Sequence, residues 1–495
     1  MKPNVKSKSD EISSDAKKVI AKMSVFSGEW PPKRQDAGFP FAGYCVIMAS
    51  AASCRPYFME TEKFFMKFCF FALGCKVNRF ESEALAQLAR ARGHEIVGRG
   101  ADVCILNSCT VTATSDHKNI RAIHKLRRDN PNAVLAVSGC MAQMEPDKLR
   151  ATGEVDLVCG TSDRAAVLDL CERFVQNRQV GDTARFRALA RAFEPLPPGV
   201  PHGRTRALLK VQDGCDNYCT YCIIPYARGH IRSLPLPEAV KQAEQLAADG
   251  VHEIVLTGIE ISSYGRDLGG DTDLVALISA ICRAVPGVRV RLSSLEPRTA
   301  DARFCTELSG LPGLMPHFHL SLQSGCDSVL ARMKRRYTTD QFRAHVDGLR
   351  AAFPGCSITT DLITGFPGET ETEFAQTLDF IRACRFADMH VFPYSPRPGT
   401  VAADMPDQIP YTERQARAEA VKQAAAEMRQ EYLQGFVGRR LTVLWEHVDK
   451  EGLWCGHAPY HFIVKTPDAG CWKNVYRDAE VLGVQGDALL ARLVD

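Results

Sequence analysis

The stretch Gly214-Cys215-Asp216-Asn217-Tyr218-Cys219-Thr220-Tyr221-Cys222 sets three cysteines at C-x3-C-x2-C spacing, directly after an apolar strand pattern at Ala207–Gln212. Three thiolates within eight residues can hold one corner of a cubane iron–sulfur cluster and leave its fourth iron without a protein ligand. Zinc is the rival, but a structural zinc site takes four ligands. No nearby Cys or His makes an obvious fourth, since His230 lies eight residues beyond Cys222. Asp216, Asn217 and Thr220 interleave the cysteines, which argues against three unrelated core residues.

Downstream, strand and helix patterns alternate. Apolar strands recur at Glu253–Thr257, Val288–Leu292, Phe318–Leu322, Ile358–Ile363 and Met389–Tyr394, with helical patterns such as Pro237–Asp249 and Thr339–Phe353 between them. Six βα units predict a parallel sheet curved into a partial barrel, with chemistry at the C-terminal ends of its strands. An Ala/Glu/Gln-rich helix is predicted over Thr412–Gln434. The last 60 residues or so change character: Leu441–Trp445, Phe462–Lys465 and Ala488–Val494 are short strands separated by turn residues, which predicts a small β-barrel.

Upstream, the pattern is strand Met66–Leu73, helix Phe80–Arg92 closed by Gly93, strand Asp102–Leu106, helix Val111–Arg128, strand Ala133–Val137. That alternation predicts a doubly wound parallel sheet. Cys75, Cys109 and Cys140 each follow one of these strands. Neighbouring parallel strands lie roughly 4.8 Å apart, so the three loops converge on one edge. They can hold a second cluster or be a coincidence of placement; spacing leaves both open. The proline-rich Pro195–Pro201 reads as a boundary. Residues 1–65 have no steady period and read as a disordered extension or a misassigned start, so Cys45 and Cys54 receive no role.

Composition bounds the rest. At roughly 150 residues per domain, 495 residues suggest about three domains. Apolar content of 45% and charged content of 24% are globular values. The net charge of +3 does not announce a nucleic-acid binder, so any such surface is local. No run reaches the roughly 20 apolar residues of a membrane span. Met1–Met23 has no secretory apolar core, so 19 cysteines point to metal or redox chemistry in the cytoplasm. Cys69, Cys104, Cys282 and Cys384 fall in apolar runs and read as small buried hydrophobes.

The chain resembles the radical-SAM methylthiotransferases, in the branch that modifies threonylcarbamoyladenosine in tRNA. The stretches that carry the resemblance are Leu73-Gly74-Cys75-Lys76-Val77-Asn78, Asn107-Ser108-Cys109-Thr110-Val111-Thr112, Gly139-Cys140-Met141-Ala142-Gln143 and Gln212 through Gly229. Further matches are Leu256-Thr257-Gly258-Ile259, Arg291 through Pro297, and Asp361 through Thr370. It covers about Met66 to Gln434 well and the tail weakly.

The resemblance implies a methylthiotransferase N-terminal domain over 66–178, a radical-SAM core over 201–432 and a TRAM-like β domain over 435–495. It implies two 4Fe-4S clusters, one on Cys215, Cys219 and Cys222 and one on Cys75, Cys109 and Cys140. The first would hold S-adenosylmethionine and cleave it to a 5′-deoxyadenosyl radical; the second would carry the sulfur for methylthio insertion at adenine C2, next to the anticodon. It implies tRNA as substrate and a small electron-donor protein as partner, with the sulfur donor unidentified and no membrane. Alternatives are a methylthiotransferase for isopentenyladenosine or for a ribosomal-protein aspartate and, from another class, a non-catalytic zinc RNA-binding scaffold. Cys-Lys-Val-Asn after Gly74 favours the threonylcarbamoyl branch.

Other residues follow from position. Tyr221, between two cysteines, suits the adenine of the cofactor; Ser294 and Glu296 at a strand end suit ribose hydroxyls; Gln323 also follows a strand. Arg228 and Arg232 can meet a carboxylate or phosphate. The loop Gly365-Phe366-Pro367-Gly368 suits close backbone approach. For RNA, Lys118, Arg121, Lys125 and Arg128 share a helix face, and Arg332, Lys334, Arg335 and Arg336 form a second basic patch. From Leu433 to Asp495 there are 7 Lys+Arg against 8 Asp+Glu, which weakens the terminal module as an RNA grip. Trp445, Trp454, Tyr460 and Trp472 can stack on bases or be core.

Overall fold

In the N-terminal part, helices connect most of five parallel strands, only a loop separating the second from the third. The strands are β1 (Lys67–Ala72), β2 (Glu95–Ile96), β3 (Val103–Ser108), β4 (Val134–Gly139) and β5 (Leu157–Val158), in the order β2-β1-β3-β4-β5. Every residue of β3 and β4 is buried, as expected of a parallel sheet covered on both faces. On one face Phe68, Ile105 and Ala136 pack on Leu85 and Ala89 of helix α1 (Lys76–Ala91). On the other, Cys104, Leu106 and Leu135 pack on Ile123 and Leu126 of helix α2 (Ala113–Asp129). Each Phe, Leu or Ile among them contributes about 1.5–3 kcal/mol by its burial. The computed structural model describes residues 65–177, 183–199 and 205–494. Apart from Phe65, the extension expected over 1–65, with Cys45 and Cys54, lies outside them.

Helix α1 begins at Lys76, four residues before the expected Phe80. Cys75 takes an extended N-cap conformation, φ −84° and ψ 173°, so the strand-to-helix turn is only a few residues long. Thr112 caps α2 conventionally, its hydroxyl accepting from Ser115 N at 3.1 Å.

The central part carries six parallel strands: β6 (Arg206–Lys210), β9 (Glu253–Thr257), β10 (Arg289–Leu292), β11 (His317–Gln323), β12 (Ser357–Thr364) and β13 (Asp388–Pro393). They form two three-stranded sheets. Backbone bonds across the seam, such as Leu295 N to His319 O at 2.8 Å and Met315 N to Val290 O at 2.9 Å, join these into one curved wall. Between β6 and β9, a short antiparallel pair, β7 (Gln212–Asp213) and β8 (Arg232–Ser233), clamps the base of the cysteine loop. Cys282 and Cys384 are buried in the core outside the wall, as Cys69 and Cys104 are in the N-terminal cores.

Five strands close a terminal barrel in the order β14-β15-β16-β18-β17. These are β14 (Arg440–Val448), β15 (Trp454–His457), β16 (Ile463–Thr466), β17 (Val475–Gln485) and β18 (Ala488–Leu493). The sequence pattern had shown three of them. Trp445 is fully buried in this barrel's core, so it is unable to stack on a base. The part of the proline-rich link that is described is packed, with Leu196 buried against Phe80, Ala84, Leu208 and Val255. Residues Glu62–Asp495 form one compact unit.

Candidate active site

The first cysteine triad sits on the loop after β7. Gly214 has φ +73°, and a Cβ there would lie 1.8 Å from His230 O; only glycine lets the loop turn against that backbone. Cys215 N donates to Gly229 O at 3.0 Å, and Thr220 Oγ1 to Arg332 O at 2.9 Å, so both ends of the loop are tied down. Arg335 Nη1 lies 3.3 Å from Cys219 Sγ. Burial pushes the Cys215 and Cys222 thiols up to about 12. Free thiols here therefore stay protonated at neutral pH, and only a metal would draw off their protons.

The second triad lies on the loops after β1, β3 and β4. Gly74 has φ +97°, and a Cβ there would fall 2.4 Å from Cys109 Cβ, so the glycine brings the first loop against the second. Asn78 ties the same two loops together, donating to Leu73 O at 2.8 Å and Ser108 O at 3.0 Å. Arg228 Nε lies 3.4 Å from Cys140 Sγ. Burial pushes the Cys140 thiol up to about 12, with the Arg228 charge opposing. Each triad thus offers three thiols and one guanidinium at a sulfur. That donor set fits a net-negative 4Fe-4S cluster with one open iron, and among the described residues no fourth ligand for structural zinc joins either triad.

Arg228 is also the centre of a buried charge cluster between the N-terminal part and the barrel. Its Nη1 lies 2.9 Å from Glu81 Oε1 of α1 and 3.1 Å from Asp213 Oδ1 of β7. Lys210 reaches the same two carboxylates at 2.9 and 2.6 Å, and Arg164 reaches Glu81 at 3.0 Å. Burial alone would raise both acids; the surrounding cations hold Glu81 and Asp213 below the usual carboxylate range. Arg228 and Arg232, expected to meet a carboxylate or phosphate, are buried; Arg228 bonds these carboxylates, and Arg232 Nη2 stands 3.6 Å from Asp213.

A cavity of about 840 Å³ joins the two triads. Cys75, Cys215, Cys219 and Cys222 line it, together with Tyr221, Ser294, Glu296 and Gln323; Cys109 and Cys140 are buried behind Cys75. Of these expected cofactor residues, Glu296 is engaged by Arg298 Nε at 3.0 Å, and Gln323 holds a left-handed φ of +70°. Phe366 of the expected glycine loop is buried against Tyr394 and away from this cavity.

Alternation along the strands puts one residue in two into the cavity: His317, His319, Ser321 and Gln323 from β11, Thr359 and Asp361 from β12, His390 and Phe392 from β13. Asp361 and His390 are register partners. His319 Nε2 lies 3.1 Å from Asp361 Oδ2, and its Nδ1 lies 2.8 Å from Thr359 Oγ1. Lys76, next to Cys75, also lines the cavity. Burial lowers its pKa from the ordinary lysine value, and Asp361 works against that shift. Glu260, past the end of β9, is raised by burial and accepts from Ser262 N at 3.0 Å. Sequence reasoning missed Lys76, Glu260, His319, Asp361 and His390. For His319, Asp361 and His390 the available signal was period-two polarity within the strands.

The terminal barrel closes the cavity at the N-terminal ends of the strands. Arg289 Nη1 donates to His457 O at 3.0 Å, Arg291 Nη1 to Pro459 O at 2.9 Å, and Ser357 Oγ to Tyr460 O at 2.7 Å. His461 stacks on His317 with ring centroids 4.5 Å apart. Burial holds both imidazoles well below the ordinary histidine pKa, so they are neutral. Tyr460 therefore faces the cavity as well as the barrel core.

Lys118, Arg121, Lys125 and Arg128 are all exposed on α2. The second basic patch is divided. Lys334 and Arg336 are exposed, but Arg332 pairs with Glu373 at 2.8 Å and Arg335 turns into the cavity. Trp472 lies under the Arg477 guanidinium, 4.5 Å from its ring centroid, and Trp454 donates to Gly470 O at 3.2 Å. No described helix is long and apolar enough to cross a membrane.

Comparison with known proteins adds to this geometry. The sequence model of the Radical SAM superfamily matches residues 209–381, and that of the uncharacterized protein family UPF0004 matches residues 67–160. The chain is 40% identical over 385 residues to the threonylcarbamoyladenosine tRNA methylthiotransferase MtaB of Bacillus subtilis, covering 77% of this chain and 85% of that protein. It is 37% identical to the MtaB of Thermotoga maritima over 390 residues, 78% and 88% of the two chains. It is also 37% identical to the tRNA-2-methylthio-N(6)-dimethylallyladenosine synthase of Acidothermus cellulolyticus over 385 residues, 75% and 76% of the two. Among solved structures, the radical S-adenosylmethionine methyltransferase TsrM of Kitasatospora setae superimposes with a TM-score of 0.51 at 15% identity, over 68% of this chain and 75% of that one. That likeness speaks to the fold.

Proposed function

Because the chain belongs to the radical-SAM tRNA methylthiotransferase family, we propose that it adds a methylthio group at C2 of N6-threonylcarbamoyladenosine in tRNA. The observation that carries this reading is the pair of three-cysteine sites facing one cavity, in a chain 34–40% identical to several threonylcarbamoyladenosine methylthiotransferases. Enzymes of this kind use S-adenosylmethionine and two 4Fe-4S clusters, and these supply reductive radical formation and sulfur delivery when bound.

The chain's own residues position that chemistry. Cys215, Cys219 and Cys222 would hold one cluster, and Cys75, Cys109 and Cys140 the other. Arg335 and Arg228 place an N–H at a sulfur of each, which stabilises added negative charge. Tyr221, Ser294, Glu296 and Gln323 line the cavity that the first triad opens on and would orient S-adenosylmethionine; Glu260 joins them from the end of β9. The terminal barrel closes the cavity at the N-terminal ends of the strands, and shutting water out there would favour reaction of the radical with the substrate carbon. The exposed basic face of α2 is the proposed tRNA contact, a small reductant the electron source, and the cytoplasm the setting, with no membrane partner.

Mass spectrometry of tRNA nucleosides from a strain lacking the protein tests the substrate. Loss of the methylthio form of threonylcarbamoyladenosine alone is the expected result. Loss of methylthio-isopentenyladenosine instead would transfer the chain to the dimethylallyl branch.

A further inference from the structure

Lys76 lines the cavity one residue from Cys75, and among the described residues no carboxylate forms an ion pair with it. Asp361 lines the same cavity, and the guanidinia of Arg291 and Arg206 oppose the ammonium charge. Both guanidinia are already paired, Arg291 with Glu253 at 2.8 Å and Arg206 with Glu446 at 3.0 Å. Of the cavity's other cations, Arg335 spends its nitrogens on Cys219 Sγ, Ser321 O and Tyr337 Oη, and Arg429 pairs with Asp388 at 2.6 Å. Lys76 is thus the cavity's uncommitted cation. The same cavity carries an acidic group in Asp361, held by His319 at 3.1 Å.

On the reading that the substrate is threonylcarbamoyladenosine, the N6 substituent brings a carboxylate, a hydroxyl and ureido N–H groups into the space beside C2. An isopentenyl group brings none of these. We propose that Lys76 and Asp361 form the subsite for this amino-acid substituent, Lys76 receiving its carboxylate and Asp361 accepting from its hydroxyl or ureido N–H. His390, the register partner of Asp361 on β13, is exposed to the same space and completes the polar wall. A site built to pair such groups discriminates strongly against a ligand lacking them, because its own charges are then left unpaired.

The test offers the iron-loaded enzyme an anticodon stem-loop bearing N6-threonylcarbamoyladenosine, and the same RNA with the carboxylate as its methyl ester. The wild-type chain is expected to prefer the acid by on the order of 10- to 100-fold in kcat/KM. Lys76→Met, with unchanged iron content and S-adenosylmethionine affinity, is expected to lose that preference, and Lys76→Arg to keep most of it. Equal handling of acid and ester by the wild-type chain overturns the proposal without recourse to any variant. Retained preference in an iron-replete Lys76→Met overturns it too, and so does weakened S-adenosylmethionine binding in that variant, which would assign the ammonium to the cofactor. A wild-type chain that methylthiolates neither RNA would instead refute the substrate reading.

Discussion

At the residue scale, two cysteines separate the two halves of the chemistry. Cys219→Ala should remove one cluster and abolish S-adenosylmethionine cleavage. Cys109→Ala should leave cleavage measurable and eliminate methylthiolation; full product from that variant would refute the second site. Arg228 permits a finer experiment. Arg228→Lys keeps a charge near Glu81 and Asp213 but withdraws the guanidinium N–H from Cys140 Sγ. A redox titration followed by electron paramagnetic resonance should place the second cluster's midpoint lower than in the wild type, since hydrogen bonds to sulfur raise potentials. The cysteines were legible because thiolate spacing maps directly onto cluster geometry. Glu81, Lys210 and Lys76 were not. Lys210 ends the otherwise apolar run Ala207-Leu208-Leu209, and a charge inside a strand gives no hint of the partner, 129 positions away, that satisfies it.

At the element scale, α2 offers a basic face on which, among the described residues, no carboxylate pairs with Arg121 or Lys125. Reversing both, Arg121→Glu with Lys125→Glu, should weaken tRNA binding and flatten log affinity against log salt by roughly 0.7–0.9 per lost phosphate contact. An unchanged slope would move the RNA surface elsewhere. The helices and long strands were readable from their periods, with boundaries displaced by a few residues. The two-residue strands β2 and β5 are too short to have a period. Strand β17 escaped because Arg477, Asp478, Glu480 and Gly483 interrupt it, and barrel closure rather than propensity holds it extended. Arg335 shows the limit of reading a charge run as a surface: Lys334 takes a left-handed φ of +60°, and Arg335 beside it points inward.

At the scale of the whole molecule, the terminal barrel is a wall of the cavity. Deleting residues 435–495 strips acceptors from Arg289, Arg291 and Arg206 and exposes His317. The truncated protein should therefore lose turnover at saturating tRNA, as well as melting at a lower temperature by circular dichroism. A truncation that only raised the apparent Kd for tRNA, with kcat intact, would show instead that the module is a detachable RNA grip. Its near-neutral charge agrees with the architectural role.

The charge cluster around Arg228 also bears on inheritance. Glu81 comes from one half of the chain, while Asp213, Lys210 and Arg228 come from the other, all buried. Removing one partner from such a set typically costs 3–5 kcal/mol. A chimera joining this barrel to an N-terminal half without a carboxylate at the Glu81 position would leave Lys210 and Arg228 to share Asp213 alone in the dry. The two halves are therefore not interchangeable cassettes. Recombination between radical enzymes could shuffle the outer helices freely, yet this seam would have to travel as a matched pair.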